Sequence, residues 1–137
     1  MITARNSYWL VTILAIIAAF AVAGCGGAGD KLINPVGSSG DIQIQITRND
    51  VPEFRWTGGI IVQQIRVMSF GTEGTVSQVL WGYTNTQISP PVTYGEVIAG
   101  GTSLTGSGGA GPLQSGRRYR VQVTKDGVQS YADWVMP

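Results

Sequence analysis

Beyond residue 40 the apolar residues of this chain alternate with polar ones, and no stretch of useful length repeats them at helical spacing. From Asp41 to Thr47 the side chains of Ile42, Ile44 and Ile46 fall on one side, with Gln43, Gln45 and Thr47 on the other. A period of two puts one face of an extended strand in a core and the other in water. The pattern returns at Phe54 and Trp56. It appears again where Ile65 and Val67 oppose Arg66 and Met68, and where Tyr119, Val121 and Val123 oppose Arg118, Arg120 and Gln122. Half-apolar strands must stack in two layers to hide their inner faces. Turn signals punctuate them at Arg48-Asn49-Asp50, Gly58-Gly59, Gly71-Thr72-Glu73-Gly74 and Lys125-Asp126-Gly127, the last a hairpin turn. The spacing predicts an all-β sandwich of about seven antiparallel strands over residues 41–137.

Two stretches leave the middle of the order open. Val79-Leu80-Trp81 is continuously apolar inside the strand expected over 75–84, so its facing is ambiguous. Pro90-Pro91 removes two donors and confines its segment to an edge. Pro52 belongs for the same reason at a strand start or edge. Gly106 to Gly111 fits G-x-G-x-x-G by letter, but Pro112 and another strand follow rather than a helix, so it reads as a loop.

Pro52-Glu53-Phe54-Arg55-Trp56, Gln64-Ile65-Arg66-Val67 and Leu113-x-x-Gly116-x-x-Tyr119-x-Val121-x-Val123 together resemble a fibronectin type III domain, across residues 41–137. The resemblance implies an immunoglobulin-like sandwich with Trp56 in the core on the second strand. It also implies a tyrosine corner built from Leu113, Gly116 and Tyr119 ahead of the sixth strand. The chain departs from that family at Pro90-Pro91 and in the long loop before Leu113. A general immunoglobulin-like sandwich, without the cysteine pair of antibody domains, is the broader reading.

The N-terminus speaks of location. Arg5 is its only charge, and residues 8–22 form an apolar run interrupted by Thr12. That order predicts a signal helix over 1–24, with a single transmembrane anchor as the competing reading. Val22-Ala23-Gly24-Cys25 resembles the lipobox of bacterial lipoproteins, which implies cleavage before Cys25 and a lipid on its thiol. Gly26 rather than Asp after the cysteine leans towards the outer membrane of an envelope that has one. Residues 25–40 read as the lipidated cysteine and a Gly/Ser-rich flexible tether, parts of which are apolar enough to lie against the domain.

Charge and chemistry narrow the function. After Arg5, eight Lys/Arg face eight Asp/Glu, a balance that points away from nucleic acid as partner. Histidine is absent and Cys25 is the sole cysteine, so imidazole bases, imidazole ligands and thiolate metal sites have no residues to build them. The expectation is a non-enzymatic protein with no cofactor and no metal. Two surfaces suggest themselves for contact. Arg66, Arg118 and Arg120 would project from neighbouring strands as a basic stripe. Trp81, Tyr83, Tyr94, Tyr131 and Trp134 are more aromatics than a small core needs, and exposed rings would suit sugars or protein interfaces. The resulting expectation is a lipid-anchored envelope protein whose sandwich contacts protein or glycan. A carbohydrate-binding accessory module using Trp and Tyr, and a hydrolase using carboxylates alone, are the alternatives.

Overall fold

A computed structural model describes residues 32–137 apart from 34, 48, 107 and 108. The expected signal helix, lipobox, Cys25 and the first part of the tether lie outside the described residues. Among the described residues ten strands occur in chain order: β1 (Leu32–Ile33), β2 (Gly37–Ser39), β3 (Ile44–Thr47), β4 (Glu53–Trp56), β5 (Gln64–Phe70), β6 (Val76–Thr84), β7 (Val92–Thr93), β8 (Thr102–Ser103), β9 (Arg118–Lys125) and β10 (Val128–Val135). They form two sheets, ordered β1-β3-β4-β7 and β2-β10-β9-β5-β6-β8, with every pairing antiparallel. The fold is all-β and sandwich-like, with a single 3-10 turn at Thr57–Gly59 and no α-helix among the described residues.

The inner faces follow the alternation. Ile44, Ile46, Phe54 and Trp56 from one sheet meet Ile65, Val67, Trp81, Tyr119, Val121, Val123 and Trp134 from the other in one buried cluster. Three outward assignments differ, Gln122 being buried where its Oε1 accepts from Arg66. Thr47 is buried because its hydroxyl oxygen accepts the Glu53 backbone N–H at 2.9 Å, closing the β3–β4 turn. Met68 is buried opposite Arg120, on an outer face where arginine side chains lie flat across the sheet.

The continuous run in β6 has a structural cause. Val67 pairs with Trp81 and Met68 with Val79, so Leu80 is the extra residue of a β-bulge. Trp81 therefore faces inward and Val79 outward, while the Leu80 carbonyl accepts Gly111 N–H at 2.9 Å. Pro90-Pro91 is joined by a cis bond and leads into the short edge strand β7, which pairs with β4.

Of the expected tether, residues 25–31 and 34 lie outside the described residues, and the remainder lies against the domain as its apolar residues allow. Its last residues supply β1 on one sheet and β2 on the other, the chain crossing between them at Pro35-Val36. Gly40 shows why glycine stands there. Its φ is +100°, and a Cβ would lie 2.6 Å from Ser130 Cα, so only hydrogen fits.

Leu113, Gly116 and Tyr119 close the approach to β9. Gln114 N–H donates to Tyr119 Oη at 2.7 Å, Gly116 takes φ +75°, and Leu113 packs against the core.

Candidate functional site

The outer face of the six-stranded sheet carries the densest polar arrangement. Its register is set by the two-residue turn Asp126-Gly127, whose φ values of 50° and 81° fit the tight hairpin between β9 and β10. Counting back from that turn brings Arg120 opposite Asp133 and Arg118 opposite Val135. On the other side of β9, Arg66 of β5 stands opposite Gln122.

Asp133 is 1% exposed and holds the cluster together. Arg120 donates Nε to Oδ1 at 2.6 Å and Nη2 to Oδ2 at 3.0 Å, and Arg118 donates Nη2 to Oδ2 at 2.7 Å. A carboxylate removed from water is tolerable only when its oxygens are matched in this way. The bond to Asp133 raises the Arg120 pKa above its ordinary value, against a smaller opposing effect of burial. Arg66 donates Nε and Nη2 to Gln122 Oε1 at 3.1 and 2.9 Å.

Aromatic rings complete the platform. The Arg120 guanidinium carbon sits 3.7 Å from the Tyr131 ring centre, and Arg118 lies 4.6 Å from that of Phe70. Such stacking fixes a planar cation in orientation as well as position. Arg118 commits one of its three nitrogens to Asp133, and its side chain remains 46% exposed. Asp133 is the sole carboxylate on the described strands of this sheet, which also carry Arg66, Arg118, Arg120 and Lys125. The face therefore presents fixed guanidinium donors with no exposed carboxylate beside them on its strands.

The structure brings Arg66, Arg118 and Arg120 to one face, as the stripe requires. The aromatic surface expected from the sequence is corrected: Trp81, Tyr83, Tyr94 and Trp134 are buried. Trp81 stacks edge-on with Tyr83 and Tyr94, and Trp134 with Phe54, so their contacts are with one another. Tyr94 donates its hydroxyl to the Gly111 carbonyl, and burial pushes its pKa up to about 12. Tyr131 alone of the five is partly exposed, and it faces Arg120 rather than open solvent.

No match is found among known protein families, curated proteins or solved structures. What the site can do rests on its geometry. Asp133, Phe70 and Gln122 were missed as members of it. Asp133 was legible, because a two-residue turn at Asp126-Gly127 already pairs residue 133 with residue 120. Elsewhere, Asp41 and Asp126 line a cleft of about 240 Å³ with Lys125 and Ser130. Asp126 is tied to Gln63, which donates Nε2 to its carboxylate at 3.1 Å. Among the described residues no three or more Asp, Glu, Cys or His side chains come together as a metal site.

Proposed function

We propose that this is an exported, lipid-anchored envelope protein whose single non-catalytic sandwich mediates protein or carbohydrate contacts. The reading is carried by Val22-Ala23-Gly24-Cys25, which closes an apolar run seven residues ahead of the first described strand. The tyrosine-corner bond from Gln114 to Tyr119 and the buried Trp56 support an immunoglobulin-like, fibronectin type III-like domain behind that anchor. Such contacts fall to polar rather than aromatic surface, since the buried rings of Trp81, Tyr83, Tyr94 and Trp134 offer nothing for a sugar to stack on.

Lipid on Cys25 accounts for stable attachment. Each acyl CH₂ buried contributes about 0.8 kcal/mol, and two or three chains hold where one would not. Gly26 after the cysteine favours the outer membrane in an envelope that has one. Changing Cys25→Ser is expected to move the protein from the membrane pellet to the soluble or uncleaved pool in fractionated cells. Membrane partitioning and processing identical to wild type would reject the lipid anchor.

A further inference from the structure

The end of the sandwich where the chain enters is also where the guanidinium face lies. Val36 N–H donates to the Asp133 carbonyl at 2.8 Å, and Arg118 Nη2 is 3.6 Å from where a Cβ on Gly37 would stand. Val135 pairs with Arg118, and both Val135 and Val36 remain exposed, at 40% and 56%. Phe70 lies beneath Arg118. Fixed cations and exposed valines therefore border the first described strands, a pairing suited to the charged and apolar layers of a bilayer interface.

Chain length fixes how far this patch can stand from an anchor. Six residues separate Cys25 from Leu32, reaching at most about 25 Å when extended and roughly 15 Å as a coil. Three arginines against one buried carboxylate are too few to capture a free polyanion or a membrane from solution. A short leash changes that, because it holds the domain at high effective concentration over the surface, where weak contacts suffice to orient it.

We propose that the Arg118/Arg120 face, with Val36 and Val135, docks on the anionic phospholipid headgroups of the membrane that carries the N-terminal anchor. This rests on the membrane-anchored reading, although a lipid on Cys25 and an uncleaved apolar segment serve it equally. Guanidinium forks meet headgroup phosphates, the valines rest at the interface, and the β9–β10 turn at the far end of the sheet points away from the bilayer.

The test uses the full chain, extracted from bacterial membranes and reconstituted into phosphatidylcholine vesicles with or without phosphatidylglycerol, each containing a headgroup-nitroxide lipid. Tryptophan reporters are placed at V135W beside Arg118 and at V128W at the opposite end of β10. V36W replaces V135W should that variant melt early. With phosphatidylglycerol, V135W is expected to be quenched about threefold more than V128W, relative to wild type. The contrast should vanish in phosphatidylcholine alone and in the R118Q background. Equal quenching at the two ends, or a contrast that survives R118Q, would overturn the proposal. Protection of V135W by soluble polygalacturonate in preference to phosphatidylglycerol would overturn it in favour of an acidic glycan. Co-sedimentation in the same samples separates the failures. A chain that leaves the vesicles rejects the anchor as well, whereas one that sediments without contrast rejects only the docking.

Discussion

The outer faces of the two sheets treat charge in opposite ways. On the four-stranded sheet, Glu53 and Arg55 sit two apart on β4 and pair at 2.5 Å, with 27% and 46% of their side chains exposed. On the six-stranded sheet, Asp133 is withdrawn from solvent, and two arginines from the neighbouring strand close over it. The first pair is local and wet. The second cluster needs the hairpin register, the flat approach of β2 and the rings of Phe70 and Tyr131. Carboxylate–arginine pairs thus differ in what depends on them. A surface pair contributes at most about 1 kcal/mol, whereas the buried Asp133 carboxylate ties β10 to two positions of β9.

The largest expected effect breaks that contrast directly. Asp133→Ala should cost about 3–5 kcal/mol in urea unfolding, and Glu53→Ala no more than about 1. Equal losses would show that the buried carboxylate matters no more than the exposed one. Gly40→Ala comes next, at roughly 2–3 kcal/mol, since the new methyl meets the Ser130 backbone. The same variant should speed amide exchange in β2 before β10, which sharpens the claim that this segment belongs to the six-stranded sheet. Tyr119→Phe removes one hydrogen bond, at about 1 kcal/mol, and should leave membrane attachment unchanged.

The smallest effect at neutral pH becomes visible only in alkali. Tyr94 has a folded pKa near 12 against its ordinary 10.0, so its contribution is complete below pH 10. That contribution is lost as pH rises towards 12, because the unfolded phenol releases its proton first. Urea midpoints measured over this window should fall less steeply in Tyr94→Phe than in wild type. Parallel slopes would remove Tyr94 as the cause.

Much of the architecture was legible because period-two alternation records which face is dry. Ile42 to Ile46, Ile65 with Val67, and Tyr119 with Val121 and Val123 all carry that record in the chain. The second strand was hidden because Gly37, Ser38, Ser39 and Gly40 have the composition of a linker. Composition does not distinguish a glycine that flexes from one that lets two backbones touch. Strands of two or three residues are also shorter than any period can reveal. The aromatics misled in another way. Trp81, Tyr83 and Tyr94 exceed the expected need of a small core, but β6 bulges at Leu80 and turns two of them inward against the third. The arginine stripe was legible on its own strands, whereas its carboxylate partner lies on the next one. Asp133 looked like any outward carboxylate until the hairpin register was counted.

The central claim is that the domain hangs from a lipid on Cys25, and intact-mass measurement of the protein extracted from membranes tests it most directly. The account predicts a chain that begins at Cys25 and carries the added mass of a diacylglycerol, with or without a further acyl chain on its amine. A membrane-associated chain that begins elsewhere, or carries no lipid at Cys25, would contradict it.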